Sequence, residues 1–331
     1  MASNNTIILT GGAGYIGKCT ATHLIDRGYR IILIDDFSTS KHLKDMPFEC
    51  IEVDLTDRKA LRKAWASLPK PSGVIHFAAR ALVPESCQDP ALYFRVNLGA
   101  ANNIAELIVE TPGCRLVHSS SCAVYGIPER LPLREDSRLE PASPYGESKR
   151  MAEVIFSHFQ QWRGLGLLNL RYFNPGGAIQ WKNTWFGEDH DPETHLIPRV
   201  LAGAAKNEVV QIFGTDYPTP DGTCVRDFIH IEDLARAHAL ALDLLFREKP
   251  ENIPRALNLG AGTGVSVRQV IQAAEGLLGK KLKVQEHPRR PGDPAEIRAD
   301  IGLAQRTLKW KPERSLKDIL ASHLQYRKSL S

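Results

Sequence analysis

Gly11-Gly12-Ala13-Gly14-Tyr15-Ile16-Gly17 constrains this chain more than any other stretch. It follows a β-branched apolar run, Thr6–Thr10, and opens a segment over 14–27 in which Ile16, Thr20, His23 and Leu24 recur at helical spacing. A buried strand that turns on glycine directly into a helix is the first half of a βαβ unit. In Gly11-x-x-Gly14-x-x-Gly17 the glycines permit a tight turn, close backbone approach and close packing of helix on strand. The positive end of the helix dipole then faces whatever sits above the turn. Arg30–Ile34 is a second apolar run, ending in Asp35-Asp36, and Asp35 lies 18 residues past Gly17. That interval suits an acid bonding a ribose, so the segment predicts a dinucleotide site formed by Gly11, Gly14, Tyr15, Ile16, Gly17, Asp35 and Asp36. Two carboxylates there would repel a 2′-phosphate, which favours NAD over NADP.

The alternation continues along the chain. Strand-like runs lie at 50–53, 73–77, 116–121 and 165–172, and 91–109 and 144–162 are long enough to be helices. Strand alternating with helix predicts an α/β fold, a Rossmann-type doubly wound parallel sheet with right-handed crossovers. After Asn174 the composition shifts to Gly, Pro, aromatic and charged residues. One helix is expected around 197–207, another at 233–247, a strand at 256–259 and final helices at 267–279 and 316–327. We expect an NAD-binding domain over 1–173 that also receives parts of 225–260. The rest, 174–331, is expected to form mainly a smaller mixed α/β substrate lobe. Asp54-Leu55 after the third strand is placed to hold an adenine, although alone Asp54 also reads as a loop acid or cap. Phe77-Ala78-Ala79 ends the fourth strand with small residues that let backbone approach a cofactor, or that serve helix–sheet packing.

Ser143-Pro144-Tyr145-Gly146-Glu147-Ser148-Lys149 reads as a helix start, with Ser143 as N-cap and Pro144 in the first turn. Tyr145 and Lys149 are then i and i+4 on one face. A free phenol ionises near pH 10, and a lysine one turn away together with a positive nicotinamide would lower that value. Ser121, at the carboxyl end of a strand, offers a hydroxyl to a substrate oxygen. His118 is a rival acid/base, but it falls inside the strand run and reads as structural. Cys122 adjoins the site without signs of activation.

Composition removes other classes. The net charge of +4 is spread along the chain, so neither nucleic acid nor an anionic membrane is expected as partner. Six cysteines without a C-x-x-C pair predict free thiols, no disulfide framework and no metal site. No apolar run reaches about 18 residues, and Met1–Asn5 lacks the basic and apolar regions of a signal peptide. A cytoplasmic location is expected.

With these pieces together, the chain resembles the extended short-chain dehydrogenase/reductase superfamily and, within it, the UDP-glucose 4-epimerases. The resemblance spans nearly the whole chain. It rests on GGAGYIG (11–17), SSSCAVYG (119–126), SPYGESK (143–149), RYFNPGGA (171–178), DGTCVRDFIHIEDLA (221–235), NLGAGTGVSV (258–267) and RRPGDPAEIRAD (289–300). It implies a tightly held NAD, a UDP-sugar substrate and a homodimer pairing the 91–109 and 144–162 helices. It implies that Tyr145 removes the sugar 4-hydroxyl proton with Ser121 bridging, that hydride passes to NAD, and that the 4-keto sugar turns before hydride and proton return. Asn97 and Tyr172 would join the cofactor contacts. Asn174, His195, Leu196, Arg226, Arg290 and Asp293 would hold the nucleotide diphosphate and ribose, and Ile297 would line the sugar pocket. The arginines suit a diphosphate on chemical grounds as well. Alternatively, Arg226 forms a surface ion pair with Asp227 or Asp233.

The chain departs from the family pattern in three places. Ala81 stands where many relatives place a cofactor-touching lysine, with Arg80 beside it. His195 replaces a frequent asparagine, and Ile297 occupies the position associated with admitting N-acetylated sugars. A 4,6-dehydratase would need an Asp-Glu pair after Ser121, where Cys122-Ala123 stand. A 4-epimerase of another UDP-sugar, a 4-ketoreductase or a non-catalytic NAD-binding regulator are the remaining alternatives. The last typically lacks the Tyr or Lys kept here.

Overall fold

The computed structural model describes residues 5–40, 48–190, 192–290 and 292–330. Residues 1–4 of the N-terminal reading, and Pro291 within the 289–300 string, lie outside the described residues. The chain forms two compact units. The first comprises Met1–Gly126, Arg138–Arg171 and Ala235–Leu257, and the second Ile127–Ser137, Tyr172–Leu234 and Asn258–Ser331.

The first unit is built on β1 (Thr6–Thr10), β2 (Arg30–Asp35), β3 (Glu49–Glu52), β4 (Gly73–His76), β5 (Arg115–Ser121) and β6 (Gly166–Tyr172). The sheet order is 3-2-1-4-5-6, and a seventh strand at Ala256–Leu259 follows β6. The pairs β1–β2, β1–β4, β2–β3 and β4–β5 are parallel. Strand order reverses at β1, so the carboxyl edge between β1 and β4 is the topological switch point where such sheets bind ligands.

Helices α1 (Tyr15–Asp26), α2 (Arg58–Ala66), α3 (Val83–Gln88), α4 (Pro90–Tyr93), α5 (Gly99–Glu110) and α6 (Pro144–Arg163) follow. Ile8, Ile34, Val74 and Leu116 of the sheet, Ile104 and Ile108 of α5 and Phe156 of α6 belong to one buried cluster. The alternate residues Ile7, Leu9, Leu33, Ile75 and Val117 are buried as well, so both faces of the central strands are covered and their apolar runs are explained. The Ser143 hydroxyl accepts from the Gly146 N–H at 3.2 Å to start α6, and Gly164 closes it with φ 70°.

The expected continuous helix over 91–109 is a correction. It is α4, then a π-helical turn at Phe94–Leu98, then α5. The wide turn contains Asn97, whose amide accepts from Arg80 N–H and donates to the Arg80 carbonyl and Ser148 Oγ. Apolar periodicity does not register one extra residue in a turn, and such turns often mark functional positions.

The second unit contains β7 (Asn174–Gly176), β8 (Ala178–Trp181), β9 (Thr184–Gly187), α7 (Leu196–Lys206), β10 (Val210–Phe213) and β11 (Val225–His230). Helix α8 (Ile231–Arg247) leads out of it and the strand at Ala256–Leu259, β12, leads back. Next come β13 (Gly264–Ser266), α9 (Val267–Leu278), β14 (Val284–His287), β15 (Glu296–Ile297), α10 (Gly302–Leu308) and α11 (Leu316–Ser329). β11 is the hub, flanked by antiparallel β13, parallel β15 and parallel β7. Ile197, Val200 and Leu201 of α7, Val270 and Ile271 of α9, and Ile319 and Leu320 of α11 form its core. Ser266–Gln269 and Ser315–Asp318 capping boxes start α9 and α11.

Candidate active site

The glycine loop runs from β1 into α1 as the sequence reads. Gly11 has φ +66°, and a Cβ there would lie 2.5 Å from the Ala78 nitrogen, so the loop packs on the chain just past β4. Gly14 is the N-cap of α1 with no side-chain capping bond. A Cβ on Gly14 would meet nothing but the Gly11 carbonyl, at 3.3 Å, which leaves space over the helix N-terminus. Gly17 packs on Gly12, Tyr15 is buried and Ile16 partly so. Asp35 ends β2 and accepts from Ala13 N–H at 3.0 Å, Phe37 N–H at 2.9 Å and Ser40 Oγ at 3.1 Å. Burial raises its pKa, and those three donors oppose the rise. Asp36 is exposed and accepts from Ser38. Asp54 closes a turn on Thr56, whereas Asp57 caps α2. Leu55 turns its side chain into the core. Phe77 and Ala78 bond the Thr10 carbonyl, and Ala79 is partly buried beside them.

Ser121, Tyr145 and Lys149 come together. β5 ends at Ser121, whose Oγ accepts from Ala123 N–H at 3.1 Å and hydrogen-bonds the Tyr145 phenol. Lys149, on the same face of α6, is buried and donates to the Ser119 carbonyl at 2.7 Å. Burial pushes the Tyr145 phenol up to about 12, with the Ser121 bond opposing and the Cys122 thiol adding slightly. Burial brings Lys149 down to about 8, and Glu153 one turn on opposes this. In the protein alone desolvation therefore sets the direction for the tyrosine, and Lys149, itself brought down to about 8, is not among the groups lowering it. His118 is buried against His76 and bonds Asn169 at 2.9 Å, away from proton-transfer duty. The Arg80 guanidinium sits on Glu85 at 3.0 Å, and Ala81 is exposed.

In the second unit, Arg226 lies on β11 directly opposite Ile297 on β15. Its guanidinium bonds Asp293 at 2.8 Å and the Pro294 carbonyl at 2.9 Å, and neither Asp227 nor Asp233 is its partner in these bonds. Asn174 Nδ2 donates to the Asp227 carbonyl at 3.1 Å. Asp227 itself accepts from the Ala261, Gly262 and Ala299 amides, fixing the loops around β11. Arg290 is exposed with its guanidinium 3.9 Å over the Phe213 ring, and Tyr172 is buried at the end of β6. His195 caps α7 and Leu196 is its first residue.

The sequence profile of the NAD dependent epimerase/dehydratase family matches residues 7–260. The chain belongs to this family. A UDP-glucose 4-epimerase from Streptococcus mutans is 40% identical over 310 residues, 93% of this chain and 92% of that one. The UDP-glucose 4-epimerase of Brucella ovis solved with NAD has TM-score 0.89 and 39% identity, covering 97% of this chain and 98% of that one. That of Bifidobacterium longum with NAD+ and UDP has TM-score 0.88 and 33% identity, covering 98% of both chains. The fold is thus that of the family throughout its length.

The residues present fit the family's dinucleotide. Gly14 leaves room above the α1 N-terminus for a pyrophosphate, and Asp35 stands at the end of the next strand with a carboxylate for ribose hydroxyls. Sequence reasoning missed two residues of this centre. Glu153 receives Arg171 at 2.6 Å and Ser120 Oγ at 2.5 Å, all within the sheet–helix interface behind Ser121, Tyr145 and Lys149. The available signal was the interval, because 145, 149 and 153 are successive steps of four on one helix face.

Proposed function

We propose that this family member interconverts UDP-glucose and UDP-galactose. The observation carrying the reading is an intact Ser121–Tyr145–Lys149 arrangement in a chain 40% identical over 93% of its length to a UDP-glucose 4-epimerase. Tyr145 takes the proton from the sugar 4-hydroxyl, Ser121 bridging the two oxygens, and later returns it. Lys149 holds positive charge one helical turn from the phenol while fixing the end of β5. NAD, when bound, supplies the hydride acceptor and donor for C4. Net redox is zero, so the protein's task is to keep the dinucleotide and to let the sugar present both faces. Gly11, Gly14, Tyr15, Ile16, Gly17, Asp35, Asp36, Asp54, Leu55, Phe77, Ala78, Ala79, Asn97 and Tyr172 are assigned to the cofactor. The Leu55 assignment rests on backbone, as its side chain is in the core.

In the second unit Asn174, His195, Leu196, Arg226, Arg290 and Asp293 are assigned to the nucleotide, with Ile297 to the sugar. Arg226, already oriented by Asp293, has the forked geometry that suits a diphosphate. A homodimer through α5 and α6 is part of the proposal, supported by Trp162 at 73% and Val154 at 44% exposure on α6. A cytoplasmic location is supported by six free cysteines. Among the described residues no helix is long and apolar enough to cross a membrane.

The test is purified protein incubated with UDP-galactose and no added cofactor, with UDP-glucose followed by NMR. Conversion is expected. No conversion after NAD is also supplied, with NAD shown to be bound, would reject the assignment to this sugar pair.

A further inference from the structure

The second unit holds a cluster of which the proposed function uses His195 alone, for the nucleotide. Glu188, His190, Glu193 and His195 fall within eight residues between β9 and α7, and one ligand atom from each lies within 4.8 Å of all the others. His195 Nδ1 is 2.8 Å from Glu188 Oε1 and 3.2 Å from Glu193 Oε1. His190 Nδ1 is 3.4 Å from Glu188 Oε1 and 4.0 Å from Glu193 Oε2. Four ligands placed tetrahedrally at about 2.0–2.2 Å from a zinc ion stand about 3.3–3.6 Å from one another. The four separations bracket that spacing.

Two further observations point to a ligand. His190 Nδ1 is buried and has no hydrogen-bond partner, although it faces two carboxylates. An orphaned buried nitrogen of this kind is disfavoured unless something occupies its lone pair. Glu188 has a side chain only 4% exposed, and among the described residues its ion-pair partners are imidazoles alone. An ion pair with a protonated His195 would satisfy Glu188 but would leave His190 Nδ1 without a hydrogen bond, 3.4 Å from the same carboxylate oxygen. A divalent ion accounts for both. Nearby, His323 of α11 is buried with neither ring nitrogen bonded, and it feels the charges of Glu188, Glu193 and Asp189. The His195 N–H donates to Glu193 Oε1 at 2.8 Å, orienting that carboxylate as supporting bonds orient metal ligands.

We infer that Glu188, His190, Glu193 and His195 form a structural binding site for a divalent transition metal of the zinc class, with two imidazole nitrogens and two carboxylate oxygens as ligands. The cysteine spacing that argued against a metal does not bear on it, because no thiol takes part. Four protein ligands leave no open position, which is the pattern of a structural rather than a catalytic ion. The ion would tie the chain after β9 to the first turn of α7, and so set the position of His195 and Leu196.

The experiment uses the full-length protein with its NAD. It is stripped with a chelator, titrated with Co2+ and then with Zn2+, and its metal content measured. One equivalent per chain is expected, with a tetrahedral Co2+ spectrum lacking thiolate charge transfer, displacement by Zn2+, and a rise in Tm of a few degrees. His190→Ala and Glu188→Gln should each weaken binding at least tenfold with the circular dichroism unchanged. Should those variants fail to fold, X-ray absorption at the zinc edge of the wild-type protein decides: four nitrogen or oxygen ligands including imidazole support the site. No stoichiometric binding, sulfur or six-fold coordination, or full affinity retained in the folded His190→Ala variant would overturn it and leave an ion-pair cluster.

Discussion

Replacing Lys149 by Met tests the electrostatic core of the reaction. Burial places the Tyr145 phenol at about 12, yet a base serving near neutrality must be substantially ionised there. Bringing it to about 7 requires some five units, or about 7 kcal/mol of differential stabilisation. Two charges about 6 Å apart at an effective dielectric near 20 interact by about 3 kcal/mol, which is about two units. Lys149 is one turn away and anchored at 2.7 Å to the Ser119 carbonyl, so its charge is held in place to make this contribution. The remaining units fall to the nicotinamide charge, since the Ser121 bond already acts in the value of about 12.

In Lys149→Met, the acid limb of the kcat profile should therefore move up by about two units, with about a hundredfold loss at pH 7. Raising the pH should recover most of it, because the phenolate is the working form. Tyr145→Phe should instead lose several orders of magnitude at every pH while keeping NAD. The assay is kcat against pH at saturating UDP-galactose, with bound NAD measured at each pH. A loss in Lys149→Met that is the same at all pH values, in protein with full NAD, would refute the electrostatic role and leave Lys149 as an anchor only.

Asp35→Ala should weaken NAD more than NADP, since the three donors now bonded to Asp35 would no longer hold a negative charge beside the ribose; equal weakening of both in a binding titration would remove the ribose assignment. Asp227→Ala leaves three amides without acceptors, that of Ala299 buried and those of Ala261 and Gly262 partly so, and should cost about 3 kcal/mol in chemical denaturation; a loss below about 1 kcal/mol would contradict that accounting. Burial raises Asp227 to about 6 in the folded protein. Its contribution is then fully present below the unfolded value near 4 and is lost as pH rises through 6, so Asp227→Asn should flatten the stability slope between those values. Ile297→Tyr, beside Arg226 in the β11–β15 pair, should lower turnover of N-acetylated UDP-sugars relative to UDP-galactose; an unchanged ratio would show that Ile297 does not line the sugar pocket.

What the sequence revealed and what it hid follow from range. Gly11 to Gly17, Asp35, and the Tyr145–Lys149 pair lie within one strand–helix unit each, so local periodicity places them. Arg226 and Asp293 are brought together only by the pairing of β11 with β15, and no spacing rule selects Asp293 over the nearer Asp227 or Asp233. The resemblance assigns Asn97 to the cofactor, but the π turn that directs its amide to Arg80 and Ser148 does not disturb the apolar pattern enough to be seen. The short strands of the second unit escaped because two- to four-residue pieces have no readable period.

The proposed catalytic trio, Ser121, Tyr145 and Lys149, is the visible end of a longer polar seam. Tyr145, Lys149 and Glu153 are spaced by four along α6, and each engages one of three consecutive residues that end β5. Tyr145 meets the Ser121 hydroxyl, Lys149 the Ser119 carbonyl and Glu153 the Ser120 hydroxyl. Arg171, from the adjacent strand β6, closes the seam with two bonds to Glu153 at 2.9 and 2.6 Å. A buried ion pair of this kind contributes little net stability, because desolvation offsets its attraction. Its value is positional. The carboxylate supports the charge of Lys149 while its own charge is answered by Arg171, so the lysine can stay protonated without Glu153 holding a competing field over Tyr145. Geometry fixed at three points along both helix and strand leaves the phenol and the Ser121 hydroxyl little freedom, which is the preorganisation that proton transfer needs.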